Sequence, residues 1–161
     1  MASNGDRNLI TGFNHTSFTV SDLEKSLLFY RDLLGMPLIS LKERPLGFCE
    51  KVTGISGAHL KIAYLEAWGH KMELIQYLSP RGQKLNMRTC DVGSAHIAFN
   101  VDNLENMYHE MAAKGVKFRS KPMMIPAGPN KGGLTVYLED PDGITIELIQ
   151  PKTKNREWRK R

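Results

Sequence analysis

One five-residue phrase occurs twice in this chain, and no other feature restricts its fold as strongly. Met72-Glu73-Leu74-Ile75-Gln76 returns as Ile146-Glu147-Leu148-Ile149-Gln150. Each copy closes a longer unit that opens with a histidine in an alternating stretch, Asn14-His15-Thr16-Ser17-Phe18-Thr19-Val20 and Ala95-His96-Ile97-Ala98-Phe99-Asn100-Val101. The histidines lie 81 residues apart and the glutamates 74, the spacing of an internal duplication. Within 161 residues, two such units make one compact domain or two small modules sharing a core.

The two units read alike. In the first, alternation from Thr11 to Val20 predicts a strand with Thr16, Phe18 and Val20 on one face and Phe13, His15, Ser17 and Thr19 on the other. Ser21, with Glu24 three positions on, is expected to cap a helix. Leu23, Leu27, Tyr30 and Leu34 form its apolar stripe, and Gly35 is placed to end it. Strands are expected at Leu38–Lys42, His59–Glu66 and Lys71–Tyr77, with a variable stretch through Gly57 and a hairpin turn at Gly69-His70.

In the second unit, a strand over Ser94–Val101 leads to a helix capped by Asp102 or Asn103. Leu104, Met107, Tyr108 and Met111 supply its stripe and Gly115 its end. Val116–Arg119, Leu134–Glu139 and Ile144–Gln150 read as strands, and Pro122–Gly133 as a long loop of the sort that covers ligand sites. The expected fold is α+β, with two tandem βαβββ modules at 11–80 and 94–151 and a polar linker at 81–93. A leader at 1–10 and a basic tail at 152–161 flank them.

Composition narrows the functional classes. With 41% hydrophobic and 24% charged residues the chain has the balance of a soluble globular protein. No apolar run reaches the length of a membrane span, and the polar start lacks the apolar stretch of a signal peptide. Cys49 and Cys90 fall in different units and match no metal spacing, so a reduced, cytoplasmic setting fits. The net charge of +5 is concentrated at the end: residues 152–161 hold six basic side chains against Glu157 alone. Positive and negative side chains balance in the remainder, so the basicity belongs to a tail and marks no nucleic-acid-binding face.

Strand parity singles out four side chains. In both opening strands the large apolar residues take the face opposite the histidine, and the helix that follows must cover that apolar face. His15 and His96 therefore point away from the helices, with small or polar neighbours Ser17 and Thr19, or Ser94, Ala98 and Asn100. Glu73 and Glu147 sit opposite leucines in apolar strands, where a carboxylate is costly to bury without a positive partner. Two imidazoles and two carboxylates suit a divalent ion such as zinc, nickel, cobalt, manganese or iron(II). Four protein ligands on an ion that prefers six leave positions open, as catalytic sites do.

The sequence resembles the vicinal oxygen chelate superfamily, also called the glyoxalase/bleomycin resistance/dioxygenase group, over residues 11–151. The resemblance rests on His15, on Phe29-Tyr30-Arg31-Asp32-Leu33-Leu34-Gly35-Met36 and on Met72-Glu73-Leu74. In the second unit it rests on His96-Ile97-Ala98-Phe99 and on Glu139-Asp140-Pro141-Asp142-Gly143 leading into Ile146-Glu147-Leu148. It implies a curved mixed sheet with a metal inside, held by His15, Glu73, His96 and Glu147.

The ligand set looks most like glyoxalase I and methylmalonyl-CoA epimerase. That implies a lyase or isomerase acting by proton transfer next to a carbonyl through a metal-stabilised enolate, with Glu147 or Glu73 as the proton shuttle. The implied substrate is a small molecule, such as a thiol conjugate or an acyl-CoA, and the implied assembly is a homodimer. The epimerase's second carboxylate is replaced by Ile55-Ser56-Gly57-Ala58-His59, which leaves His59 as a possible substitute. Two alternatives share the fold: an iron(II) ring-cleaving dioxygenase, which generally lacks a ligand at the Glu73 position, and a non-catalytic binding protein for antibiotics.

Overall fold

The computed structural model of the chain describes residues 9–152. The expected leader up to residue 8 and the expected basic tail beyond residue 152 lie outside the described residues. The first module contains β1 (Thr16–Thr19), α1 (Leu23–Leu27, continuing as a π-helical turn over Leu28–Leu33), β2 (Leu38–Glu43), α2 (Leu46–Thr53), β3 (His59–Ala67) and β4 (His70–Ser79). The second contains β5 (His96–Asn100), α3 (Leu104–Ala113), β6 (Lys117–Phe118), β7 (Met123–Met124), β8 (Leu134–Glu139) and β9 (Thr145–Gln150). No helix is long and apolar enough to cross a membrane among the described residues.

The duplication is visible in the topology. The first module forms a four-stranded sheet in the order β1-β4-β3-β2, and the second a five-stranded sheet in the order β5-β9-β8-β6, with β7 on β8. In each sheet the opening strand lies parallel to the closing strand, Ser17 beside Glu73 and Ala98 beside Glu147, while the other pairs are antiparallel. The chain thus carries two mixed sheets, one per module.

Each closing strand grips the helix that crosses behind it. Gln76 Oε1 accepts a hydrogen bond from the Leu23 N–H at 3.0 Å, and Gln150 Oε1 accepts one from the Leu104 N–H at 2.7 Å. Both glutamines are the last residues of the repeated phrase. Leu23 and Leu104 are fully buried, so each glutamine satisfies a first-turn donor that has no partner within its helix. The apolar faces of both sheets, α1 and α3 share one core that includes Leu23, Leu27, Tyr30, Met72, Leu74, Leu104, Leu138, Ile146 and Leu148.

Local details refine the sequence reading. The cap of α1 is Asp22, whose side chain accepts from the N–H groups of Glu24 and Lys25, and the Ser21 N–H instead donates to Asp142 Oδ2 at 2.9 Å. Asp22 stands one residue nearer the helix than Ser21, so its carboxylate reaches the first-turn donors and displaces the expected Ser21–Glu24 box. Asn103 caps α3 by accepting from the Asn106 N–H. The β3–β4 turn is made by Trp68 and Gly69, with φ of 50° and 89°, because Ala67 pairs with His70. Two positive φ values suit the tight hairpin turn that matches strand twist.

The variable stretch before Gly57 holds a helix, α2. It follows Pro45, ends at Gly54 with φ of 70°, and buries only Cys49. A helix with one buried residue and Gly47 inside it shows no apolar stripe in the sequence. Cys49 packs with Ala58, Leu60 and Ile62, against which Tyr64, Ile75 and Tyr77 lean. This covers the far end of the sheet face that carries Glu73.

Hydrogen bonds from the Ser21 N–H and the Tyr30 hydroxyl tie the first module to the second. Tyr30 Oη donates to Asp140 Oδ2 at 3.0 Å in the buried seam, and Asp140 Oδ1 accepts from the N–H groups of Asp142 and Ile144. The Asp140-Pro141-Asp142-Gly143 turn is thereby fixed to α1 of the other module.

Candidate metal centre

Each module brings one histidine and one glutamate together. His15 precedes β1 and Glu73 lies mid-way along β4, on the same side of the parallel pair; His15 Nε2 stands 3.3 Å from Glu73 Oε2. Glu73 is nearly buried, at 8% side-chain exposure, while His15 is one-third open at 32%. Asn14 Oδ1 lies 2.7 Å from His15 Nδ1. An amide oxygen can only accept, so Nδ1 donates to it and Nε2 is the ring nitrogen turned toward Glu73. That is how an imidazole is prepared to ligate an ion through Nε2.

The second module repeats the arrangement on β5 and β9. His96 Nε2 stands 3.3 Å from Glu147 Oε2, with side-chain exposures of 44% and 16%. Tyrosines occupy matching places: Tyr64 is the register partner of Glu73 and Tyr137 that of Glu147. The Tyr64 ring meets His15 edge-on at 5.8 Å, and the Tyr137 ring meets His96 at 5.2 Å. The Tyr64 phenol is pushed above its ordinary ionisation range, chiefly by its hydrogen bond to the Glu73 carboxylate, with Arg44 opposing. Tyr137 is pushed up by burial first and by the Glu147 charge second.

The donor geometry fits a metal ion. Two ligands bonded to one ion at about 2.1 Å and at angles between octahedral and tetrahedral stand about 3.0–3.4 Å apart. Both His–Glu pairs have that separation. A lone pair facing a carboxylate oxygen at that distance is repulsive unless a cation lies between them or the imidazole is protonated. Each pair can therefore hold one edge of an ion's coordination sphere.

The structure does not bring the two pairs together within one chain. Among the described residues no three of the His, Cys, Asp and Glu side chains come together as a metal cluster. Both pairs lie on the sheet faces turned away from the shared core, with the histidines more exposed than the glutamates. A cavity of about 560 Å³ sits instead at the seam beneath Arg81–Leu85, lined by Phe18, Ser21, Tyr77 and Asp142, and contains none of the four side chains. His59 pairs with Glu43 at 3.0 Å rather than joining either pair.

Three side chains of this neighbourhood escaped the sequence reading. Asn14 orients His15. Tyr64 abuts both members of the first pair. Thr135 donates to Glu147 Oε1 at 2.7 Å. Strand pairing places Tyr64 opposite Glu73, and Thr135 two residues along the same face from Tyr137, the partner of Glu147, so parity held the signal for the last two.

The model of the Glyoxalase/Bleomycin resistance protein/Dioxygenase superfamily matches residues 12–148. A lactoylglutathione lyase of Haemophilus influenzae is 33% identical over 146 residues, which span 86% of this chain and 92% of that relative. A lactoylglutathione lyase of Neisseria meningitidis serogroup A is 34% identical over 143 residues, 86% of this chain and 90% of the relative. Among solved structures, a glyoxalase family protein from Bacillus cereus superposes with a TM-score of 0.79 at 18% identity, covering 92% of this chain and 99% of that one. The fosfomycin resistance protein FosX from Listeria monocytogenes, complexed with Mn(II) and sulfate, superposes with a TM-score of 0.60 at 19% identity, covering 91% and 98%. At those identities the structures speak for the fold alone.

Proposed function

The chain belongs to the glyoxalase/bleomycin resistance protein/dioxygenase superfamily and is an enzyme of that group, and from that premise we propose that it is a metal-dependent, glyoxalase I-like lyase. Its reaction converts the adduct of a 2-oxo aldehyde and a thiol into a 2-hydroxy thioester. The observation that carries the proposal is the pair of matching His–Glu edges, each at the 3.3 Å separation of two ligands on one ion. The lactoylglutathione lyases at about one-third identity supply the reaction class.

His15, Glu73, His96 and Glu147 would hold the ion. When bound, it supplies Lewis-acid polarisation of the carbonyl and offsets the negative charge that develops beside it. The protein's own part is proton movement between adjacent carbons. The C–H bond of the thiol-bearing carbon breaks, a glutamate carboxylate takes the proton, and the same carboxylate returns it to the former ketone carbon. The hydroxyl proton passes between the two oxygens, so the reaction is an isomerisation with no external oxidant. Glu73 and Glu147 are the carboxylates at hand. On the Glu73 side, Leu60, Ile62, Ile75 and the Cys49 end of α2 provide an apolar wall that limits water's access to the carbanion-like centre.

Since one chain holds two separate half-sites, a complete four-ligand site requires a second copy. In a two-fold dimer the first module of one copy faces the second module of the other, which gives two sites per dimer. The test is complementation. Glu73→Gln and Glu147→Gln are each expected to abolish thioester formation from methylglyoxal and glutathione. Co-refolded in equal amounts they are expected to regain about a quarter of wild-type activity, because half the dimers are mixed and each mixed dimer rebuilds one intact site. No gain on mixing overturns the shared site. No thioester from wild-type protein supplied with zinc, nickel, cobalt or manganese overturns the reaction.

A further inference from the structure

The two half-sites are not chemically equal, and the difference lies on the strand next to each glutamate. In the second module Glu147 is held at both oxygens: Oε1 accepts the Thr135 hydroxyl at 2.7 Å and Oε2 faces His96 Nε2 at 3.3 Å. In the first module the position that corresponds to Thr135 is Ile62. It stands opposite Ile75 as Thr135 stands opposite Ile149, and it is 7% exposed within the apolar cluster under α2. The duplication therefore kept the ligand and the flanking tyrosine while the residue two places away diverged into a hydroxyl on one side and an alkyl group on the other.

We infer that Thr135 is a positioning residue that fixes Glu147 as a one-oxygen ligand. It rests on the reading of Glu147 as a metal ligand. A carboxylate with both oxygens free can bind an ion through either or both and can rotate about its last torsion. One oxygen engaged by a hydroxyl on the neighbouring strand stops that rotation and directs the other oxygen to the histidine. The clamp is short, joins two hydrogen-bonded strands of one sheet, and is partly buried, so little is lost in ordering it. Glu73 has no such neighbour at the Ile62 position, and its approach is set by Tyr64 instead. Outer-sphere partners of this kind typically change metal affinity by about 10–100-fold.

The experiment measures affinity, not turnover. Zinc and nickel are titrated against a competing chromophoric chelator into the full-length wild-type protein and into Thr135→Val, Thr135→Ala and Thr135→Ser. Valine keeps the shape and strand preference of threonine and removes only the hydroxyl, while serine restores it. Valine and alanine are expected to weaken binding at least about tenfold, and serine to remain within about threefold of wild type. Circular dichroism and oligomeric state should be shared by all four proteins. Wild-type affinity in a folded Thr135→Val protein overturns the inference and leaves the proposed site standing. Should Val fail to fold, the alanine–serine comparison decides in the same way, serine weakening as much as alanine counting against it. Failure of the wild-type protein to bind either ion would instead sink the metal site itself.

Discussion

Gln150 accepts a hydrogen bond from the backbone N–H of Leu104 at 2.7 Å, and Gln76 does the same for Leu23 at 3.0 Å. The repeated phrase therefore ends on a structural residue, three positions beyond its glutamate and so on the opposite face of the strand. Its glutamate looks outward to the candidate site; its glutamine looks inward to the helix. Gln150→Leu would leave the N–H of a fully buried leucine without an acceptor, at a cost of about 1–3 kcal/mol. We expect a matching fall in urea unfolding free energy for Gln76→Leu and Gln150→Leu. A loss under about 0.5 kcal/mol in both would show that the grip contributes nothing net.

The two glutamines explain what the sequence could and could not disclose. Period-two alternation put His15, His96, Glu73 and Glu147 on the faces away from the helices, and the registers of β1 with β4 and β5 with β9 keep them there. Glycines with positive φ, such as Gly35 and Gly115, end their helices as read. Hidden were the features without periodicity. Helix α2 is the example: it buries only Cys49, whereas β3, read from the sequence at His59–Glu66, forms over His59–Ala67. Separation of the two His–Glu pairs was invisible for a different reason. It is decided by how two modules dock, and no local pattern encodes the docking of two similar units.

Tyr30 is expected to give the fold a steeper alkaline limit. Burial, then the charge and hydrogen bond of Asp140, hold its phenol well above the ordinary range. The unfolded phenol titrates near pH 10, so the native state favours the neutral form. That contribution is complete below about pH 10 and disappears as the pH rises through the higher folded value. Urea midpoints measured from pH 7 to 11 should fall more steeply in wild type than in Tyr30→Phe. At pH 7 the variant should also be weaker by about 1–3 kcal/mol, because Asp140 Oδ2 loses its donor. Parallel pH profiles for the two proteins would remove Tyr30 from the alkaline limb.

Gly133 has a steric reason to be glycine. A Cβ there would stand 2.5 Å from the backbone oxygen of Gln150 and 3.1 Å from that of Asn130. Both are main-chain atoms, so relief requires moving β9 or the preceding loop. Gly133→Ala should cost about 1–3 kcal/mol by overpacking. It should also weaken metal binding, since the displaced backbone lies two residues before Thr135. A thermal midpoint within about 1 °C of wild type would mean that the loop adapts freely.

Metal should tighten the dimer if its ligands come from two chains. An ion that binds only the assembled site stabilises association in proportion to its own binding, and each dimer carries two sites. Sedimentation velocity across nanomolar to micromolar protein should show a dimer dissociation constant at least about tenfold lower with saturating zinc or nickel than after chelator treatment. Glu147→Gln, which removes one ligand from each site, should shrink that difference. The control is decisive because His96 Nε2 and Glu147 Oε2 are already paired within one module: an ion held by that pair alone would load the protein without changing its assembly. Equal dissociation constants with and without metal would place ion binding inside a single chain and refute the shared site.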